Sequence, residues 1–198
     1  MKINLERDCE MFILSEEQNM TDFDCGDEDL NDFFNREALL YKRQMLAETY
    51  FFRLKCSGTI VCAFSISASS IKTADLPANR SRKVKDLIPR EKTLKAYPGI
   101  LVGRLGVATE FNGQGTGSQL MDFIKDFCLV SLPSFVRYLL VDAYNKPEII
   151  RFYQKNYFIT VYSTEEQEKS SYRQAPAGSL RTRYMFYDMT NWRDKTMP

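Results

Sequence analysis

Residues 99–130 read GILVGRLGVATEFNGQGTGSQLMDFIKDFCLV, and this stretch decides the fold. Residues 100–107, which include several β-branched side chains, predict a strand. Residues 112–117 predict a glycine-rich turn, and the amphipathic pattern from Thr116 or Ser118 onward predicts a helix. Glycine has no Cβ, so backbone N–H groups in such a turn can face a ligand. The first turn of a helix adds unsatisfied N–H groups and the positive end of the helix dipole. The pattern therefore predicts a cradle for a pyrophosphate.

Other interpretations of the same turn fit the sequence less well. A P-loop needs a lysine directly after the glycines, and this chain has none there. A dinucleotide fingerprint could use Gly113, Gly115 and Ser118, with Asp142 as the later acid. However, a dinucleotide-binding fold should begin with this unit, and here half of the chain precedes it. A glycine-rich turn without any ligand is the remaining alternative.

The composition limits the class of protein. A chain of 198 residues with 44% apolar residues is predicted to form one globular domain over residues 1–198. It contains no apolar run of the length that spans a membrane, and its N-terminus lacks the apolar segment of a signal peptide. Five scattered cysteines favour reduced thiols over a disulfide framework, so a cytoplasmic location is expected.

The chain contains no histidine. This excludes Ser-His-Asp and Cys-His catalysis and removes the commonest ligand of metal sites and the commonest general base near neutral pH. We expect no metal site. Any catalytic group must be tyrosine, a carboxylate, lysine, water or the backbone.

The net charge of +1 hides two segments of opposite sign. Residues 1–32 hold eleven acidic and two basic residues, whereas residues 72–95 hold eight basic and three acidic residues. A basic segment attracts nucleic acid or phosphate, although the same composition also suits a solvated loop.

The remaining pattern predicts a mixed α/β order. Expected elements are a strand at 10–14, a helix at 27–48, hairpin strands at 49–56 and 59–67, a buried strand at 135–143, a helix at 147–156, and an antiparallel pair at 157–162 and 180–189. Residues 163–178 are predicted to be an exposed loop. A strand, a helix and a second buried strand in succession imply a parallel pair within a mixed sheet.

The stretch RLGVATEFNGQGTGSQLM, residues 104–121, resembles motif A of the GNAT superfamily of N-acetyltransferases. That motif is written [QR]-x-x-G-x-[GA], and its positions fall on Asn112, Gly115 and Gly117, with asparagine in place of glutamine or arginine. The resemblance implies acetyl-CoA as co-substrate. It also implies a mixed, mostly antiparallel twisted sheet with a central parallel strand pair, flanked by helices.

The resemblance continues downstream through Asn145 and the segment FYQKNYF, residues 152–158. Tyr153 falls on the tyrosine of the family, and Tyr157 replaces its usual glycine. The resemblance implies that Tyr153 is the general acid, which a phenol of pKa about 10 can be at neutral pH, and that the backbone N–H at Val107 stabilises the oxyanion. The implied coenzyme-binding residues are Leu105, Val107, Asn112, Gly113, Gln114, Gly115, Thr116, Gly117, Ser118, Asn145 and Tyr153.

A narrower likeness lies at the N-terminal side, where residues 23–34 read FDCGDEDLNDFF and residues 103–107 read GRLGV. Both are similar to acetyltransferase toxins of bacterial toxin–antitoxin pairs, which acetylate aminoacyl-tRNA and are restrained by a ribbon–helix–helix antitoxin. The likeness implies such partners and a homodimer. It assigns tRNA contacts to the basic stretch: Arg80, Arg82, Lys83, Lys85, Arg90 and Lys92, followed by Lys95.

The missing histidine also bears on the acceptor. An α-amine with a pKa near 8 is easier to deprotonate at pH 7 than a lysine amine, by about 3 kcal/mol. A site without an obvious base therefore favours an α-amine, although Glu110 or a water chain could serve as base. The alternatives are a housekeeping acetyltransferase for a small amine or a protein N-terminus, and a non-catalytic acyl-CoA-binding module.

Overall fold

The computed structural model describes residues 3–17, 22–72, 76, 78, 81–82, 95–132, 136–172 and 177–196. The strands are β1 (Cys9–Ile13), β2 (Glu48–Leu54), β3 (Ile60–Lys72), β4 (Ala96–Val107), β5 (Tyr138–Tyr144), β6 (Ile159–Thr160) and β7 (Thr182–Asp188). This part of the chain includes the α-helices α1 (Leu5–Asp8), α2 (Glu28–Asp32), α3 (Ala38–Arg43), α4 (Thr116–Val130), α5 (Pro147–Lys155), α6 (Glu165–Lys169) and α7 (Thr190–Thr196). It also includes a π-helix, Phe33–Glu37, and a 3-10 helix, Thr109–Phe111.

The seven strands form one sheet in the order β1-β2-β3-β4-β5-β7-β6. The pairs β1–β2, β2–β3, β5–β7 and β6–β7 are antiparallel, and the central β4–β5 pair is parallel. The predicted mixed sheet with a parallel central pair is thereby confirmed.

Contacts divide the chain into two compact units, and the prediction of a single domain remains a prediction. The first unit comprises Met1–Ala68 and Leu101–Phe127. Its core is aromatic: Phe123 of α4 packs edge-on against Phe52 of β2 at 4.8 Å between ring centroids, and Phe127 packs against Tyr50 at 5.1 Å. The amphipathic face of α4 is therefore buried against the β2–β3 hairpin, as its spacing predicts.

The helix predicted over residues 27–48 is wrong in its length and continuity. It is broken into α2, the π-helix and α3, and it ends at Arg43, after which Met45 adopts a φ of 57°. The π-helix contains Asn35, whose side chain accepts a hydrogen bond from the backbone N–H of Phe23 and donates one to its carbonyl. Extra residues in a helical turn commonly mark a place where a tertiary contact overrides the regular helix.

The second unit comprises Ser69–Ile100 and Cys128–Pro198. Here β5 is buried along most of its length and pairs with β7 from Tyr138 opposite Asp188 to Tyr144 opposite Thr182. The final antiparallel pair is confirmed, but β6 contributes only two residues to it. The exposed loop predicted at 163–178 is wrong in part, because α6 lies there and buries Glu168.

Candidate functional site

The glycine-rich turn follows β4 and the 3-10 helix and leads directly into α4. Gly113 and Gly115 have φ values of 72° and 87°, which favour glycine. Apart from their chain neighbours, no atom of the described residues lies within 4 Å of where a Cβ would stand on either one. Thr116 is buried, and its hydroxyl donates to the carbonyl of Phe111 at 3.1 Å. This bond ties the start of the helix to the residue before the turn, so the open face of the turn has a fixed shape.

Among the described residues, none of the backbone–backbone hydrogen bonds seen in loops, turns and helix caps is donated by the N–H groups of residues 113–117. Helical bonding begins after them, where the N–H groups of Ser118 and Gln119 donate to the carbonyl of Gly115. The turn therefore combines backbone donors, open space and the positive end of the 15-residue helix α4. These properties fit an anionic diphosphate group.

Side chains contribute less to this face than the backbone does. Gln114 donates from Nε2 to the carbonyl of Glu110 at 3.0 Å, so its amide is committed within the turn. Asn112 is exposed and ends the 3-10 helix through its backbone N–H. The asparagine at the first motif position thus leaves the backbone donors of the turn unchanged.

The C-terminal half of β4 is held by the loop at residues 22–27. A Cβ on Gly106 would lie 3.2 Å from atoms of both Phe23 and Cys25, so a larger residue would push this loop away by a few tenths of an ångström. The N–H of Thr109 donates to the carbonyl of Asp24 at 3.0 Å. Leu105 and Val107, on either side of Gly106, are half-buried.

The loop itself is built by hydrogen bonds from its own acidic and amide residues. Asp24 accepts from the N–H of Gly26 at 2.9 Å and from the side chain of Asn31 at 2.7 Å, and these bonds lower its pKa. Asn31 in turn accepts from the N–H of Cys25 at 2.9 Å. The FDCGDEDLN sequence is therefore the structural support of β4 beside the turn.

A cavity of about 390 Å³ opens in the first unit next to the end of β4. Its lining includes carboxylates and the start of β3: Asp22, Phe23, Asp24, Thr59, Ile60, Ala108, Thr109 and Glu110. Glu110, the candidate base from the sequence, is exposed here.

Tyr153 lies in the second unit, on the last turn of α5. Its ring is buried and packs edge-on against Phe152 and Phe158, with ring centroids 5.1 and 5.5 Å away. Burial raises the pKa of the phenol further above its usual value of about 10, because the ionised form loses hydration. The hydroxyl therefore remains protonated throughout the physiological range.

Asn145 lies between β5 and α5 and is anchored by residues far along the chain. Its Nδ2 donates to Oε2 of Glu165 and to the carbonyl of Leu180, each at 3.0 Å. Both Nδ2 hydrogens are engaged, so its side-chain amide can meet a ligand only through Oδ1. Hydrogen bonds from the N–H of Leu180, from Asn145 and from Lys169 lower the pKa of Glu165 to about 2. Sequence reasoning missed Glu165, which lies in the segment predicted as a loop.

Of the basic stretch, the structure describes Arg82 and Lys95, and both are exposed. Its other members lie outside the described residues: Arg80, Lys83, Lys85, Arg90 and Lys92. Among the described residues, no group of histidine, cysteine or acidic side chains has an arrangement that could hold a metal ion. In the same residues, no helix is long and apolar enough to cross a membrane.

No protein-family profile matches the chain. A tRNA-acetylating toxin of Mycobacterium tuberculosis is 26% identical over 132 residues, which are 66% of this chain and 72% of the toxin. A solved mutant of KacT gives a TM-score of 0.71 at 18% identity, over 96% of this chain and 99% of KacT. AtaT in complex with acetyl-methionyl-tRNAfMet gives a TM-score of 0.68 at 20% identity, over 95% of this chain and 99% of AtaT. A mutant AtaT toxin bound to acetyl-CoA and the C-terminus of the antitoxin AtaR gives a TM-score of 0.66 at 18% identity, over 96% of this chain and 99% of the toxin chain.

The chain shares the fold of these solved proteins, and it has the mixed sheet that the GNAT resemblance implies. The resemblance carried by residues 104–121 and 152–158 is thus confirmed at the level of the fold. The part of β4 from Leu101 onward, the turn, and α4 as far as Phe127 belong to the first unit, whereas Asn145 and Tyr153 belong to the second.

Proposed function

We propose that this protein is an acetyl-CoA-dependent N-acetyltransferase that acts in the cytoplasm on the α-amine of aminoacyl-tRNA. The observation that carries the proposal is the open turn at residues 113–117 within a GNAT fold. The sequence relationship to a tRNA-acetylating toxin supports the acceptor, and the AtaT structures with acetyl-CoA and with acetyl-methionyl-tRNA support both substrates.

The backbone of the first unit binds the coenzyme in this proposal. The N–H groups of Gly113, Gln114, Gly115, Thr116 and Gly117 hold the diphosphate at the positive end of α4. The strand from Leu105 to Val107 pairs with the amides of the pantetheine arm, with Asn112 and Ser118 flanking the turn. Asn145 is a further proposed contact of the coenzyme, as an acceptor through Oδ1.

The transfer itself needs charge stabilisation and a proton path. Acetyl-CoA supplies an acetyl thioester, and the amine nitrogen bonds to its carbonyl carbon as the carbon–sulfur bond breaks. The N–H of Val107 donates to the carbonyl oxygen, where negative charge develops. The nitrogen loses one proton and the sulfur gains one, so the reaction is balanced without an outside acid.

Tyr153 moves that proton. A thiol, with a pKa of about 8.5, is more acidic than a phenol, so simple donation by Tyr153 would be uphill and would leave a phenolate in apolar surroundings. We propose instead that Tyr153 gives its proton to the sulfur and receives one from the acylated nitrogen. The phenol then ends the reaction neutral, which suits its burial and its raised pKa.

The acceptor and the partners follow from the same proposal. An α-amine requires less help with deprotonation than a lysine amine does, and this chain has no histidine to provide that help. The basic stretch from Arg80 to Lys95 contacts the tRNA backbone. A ribbon–helix–helix antitoxin and a second copy of the chain are the proposed protein partners, since AtaT is solved with the antitoxin AtaR.

Incubation of the full chain with labelled acetyl-CoA and bulk charged tRNA tests the function. We expect the label on the aminoacyl ends, in a form that survives as an N-acetyl amino acid after the ester is hydrolysed. Parallel reactions contain a panel of small amines and a peptide with a free N-terminus. Transfer to those acceptors alone would replace the tRNA with a housekeeping substrate, and binding of acetyl-CoA without any transfer would leave only a binding module.

A triple variant, Arg82→Ala with Lys83→Ala and Lys85→Ala, tests the tRNA contact. Loss of three phosphate contacts should weaken tRNA binding at least about tenfold and reduce the salt dependence of the affinity by about one unit of slope per contact. Affinity for acetyl-CoA should not change. The matched control is Arg193→Ala with Lys195→Ala on α7, which removes exposed positive charge elsewhere. Equal tRNA affinity in the triple variant and the wild type would remove this stretch from the interface.

A further inference from the structure

Arg104 lies in a part of β4 that is less buried than the neighbouring strand. β4 follows β3 in the middle of the sheet, and β3 is buried without interruption over residues 61–66. In β4, by contrast, the consecutive residues Gly103, Arg104 and Leu105 are all only partly buried. Successive side chains of a strand point to opposite faces of its sheet. This part of β4 is therefore accessible from both faces.

The side chain of Arg104 lies on the face of β4 that the π-helix covers. Its guanidinium carbon lies 5.1 Å from the ring centroid of Phe33 in the π-helix. Gly106, two residues further along the strand, meets Phe23 on the same face. Nη1 of Arg104 donates to the carbonyl of Gly103 at 2.9 Å. The ring and this hydrogen bond together hold the guanidinium beside the strand.

The guanidinium of Arg104 has a donor without an acceptor. Among the described residues, its buried Nε makes no hydrogen bond and no carboxylate pairs with the side chain. Arg53 offers a comparison, because its guanidinium carbon also lies 5.1 Å from a ring centroid, that of Phe12, but its Nε donates to Glu10 at 2.7 Å. A partly buried cation without a counter-ion loses hydration and gains no ion pair in return. We expect the counter-ion of Arg104 to come from a ligand.

We propose that Arg104 binds the 5′-phosphate of the nucleotide that carries the aminoacyl ester. This inference rests on the proposed function, in which the amine reacts beside Val107. Arg104 precedes Val107 by three residues, which is about 10 Å along a strand. In an aminoacyl nucleotide, about eight bonds separate the amine from the phosphorus atom, and that path spans up to about 10 Å. The two lengths match, so the phosphate can reach the guanidinium while the amine is at the thioester.

The geometry of the guanidinium suits a phosphate. Nε and Nη2 form the edge of an arginine that donates two parallel hydrogen bonds to one anion. Because Nε is covered in the protein alone, the side chain turns about its terminal bonds as the phosphate binds. The coenzyme does not need Arg104, since the turn at residues 113–117 supplies the donors for its diphosphate.

The test compares two ligands that differ by one phosphate. Both are adenosines that carry an amino acid on the ribose through a stable amide, and one also has a 5′-phosphate. Calorimetry on protein saturated with coenzyme A gives each Kd without any transfer. The wild type should bind the phosphorylated ligand about tenfold more tightly or better. Arg104→Met should lose this preference, and Arg104→Lys, which keeps the charge but not the two-donor edge, should keep part of it. The Kd for acetyl-CoA should not change in either variant.

Thermal melts separate this role from a structural one. Arg104→Met removes an unpaired buried donor and keeps an apolar chain against Phe33, so its Tm should equal or exceed that of the wild type. Arg53→Met is the matched control in the same unit, since it removes an arginine that stacks equally but is paired. It should keep the preference for the phosphorylated ligand.

The same preference in the wild type and in Arg104→Met would overturn the inference, as would a wild type that binds both ligands equally or binds neither. A lower Tm for Arg104→Met, together with equal weakening of both ligands, would assign Arg104 a structural role instead. The proposed function is judged separately, by acetyl transfer to charged tRNA in the wild type. If that transfer occurs without a phosphate preference, only this inference falls; if no transfer occurs, both fall.

Discussion

The β4–turn–α4 segment of the first unit and the β5–α5–Tyr157 segment of the second are both strands followed by helices, but they offer different chemistry. In the first, Gly113 and Gly115 take up the left-handed backbone and expose N–H groups at the helix start. In the second, a tyrosine takes up the left-handed backbone at the helix end, and a second tyrosine is buried one turn before it. In the proposed function, one segment acts through its backbone and the other through its side chains.

This difference determines how each segment responds to substitution. A backbone site depends on conformation and open space, so adding a single methyl group can destroy it. A side-chain site depends on one functional group within the packed core, so removing one atom can abolish its activity without disturbing the fold. The predictions below test the two segments in that way.

The largest effect is expected from Tyr153→Phe, which removes only the hydroxyl of the buried ring. Loss of a proton-transfer group should lower kcat at least about a hundredfold and leave the KM for acetyl-CoA nearly unchanged. Steady-state kinetics with saturating acceptor measures both constants. Tyr138→Phe is the control, since Tyr138 is a fully buried tyrosine of the same unit. Wild-type turnover by the Tyr153 variant would assign the second segment a purely structural role.

A smaller effect is expected from Gly115→Ala, which tests the backbone site. The added Cβ would strain the left-handed backbone and occupy the open space in front of the N–H groups, so the Kd for acetyl-CoA should rise about tenfold or more. Calorimetric titration gives this constant directly. Gly58→Ala carries the matched strain, with a φ of 75° and open space around it, in the hairpin of the same unit. If both variants bind acetyl-CoA equally well, the turn does not hold the diphosphate.

The smallest effect is expected from Glu165→Gln, which tests the anchor of Asn145. Hydrogen bonds hold the pKa of Glu165 near 2, below its ordinary 4.5, so its ionised form stabilises the fold above about pH 4.5. That contribution is lost as the pH falls toward 2. The variant should therefore have a lower Tm than the wild type at pH 7, and the difference should shrink below about pH 4. Thermal melts across that range measure it, and a difference in Tm that does not vary with pH would contradict the charge-based account.

The sequence was informative wherever structure depends on local signals. The alternating glycines predicted the turn, and Pro147 marked the start of α5, because both effects act within a few residues. The sequence did not predict the π-helix, in which Asn35 meets the backbone of Phe23, twelve residues away. The anchor of Asn145 depends on Leu180, 35 residues further along the chain. Such pairs have no periodicity that a sequence pattern could reveal.

The residues predicted to contact tRNA were named from their charge, and most of them lie outside the described residues. The N-terminal FDCGDEDLN segment shows the reverse situation. Its likeness to toxins was visible in the sequence, but its physical role was not, because that role is the close packing of Phe23 and Cys25 on Gly106.

The buried carboxylate of Glu168 has a consequence for solubility. It accepts hydrogen bonds from the guanidinium of Arg183 at 2.6 Å and from the backbone N–H of Tyr184 at 2.7 Å. β6 pairs with β7 only near Met185 and Phe186. Without further cover, the rest of this edge of β7 would expose backbone N–H groups that could pair with a strand of another molecule. The Glu168 side chain accepts a hydrogen bond from one backbone N–H group of this edge. Fewer groups are then available to pair with a strand of another molecule, which disfavours edge-to-edge aggregation.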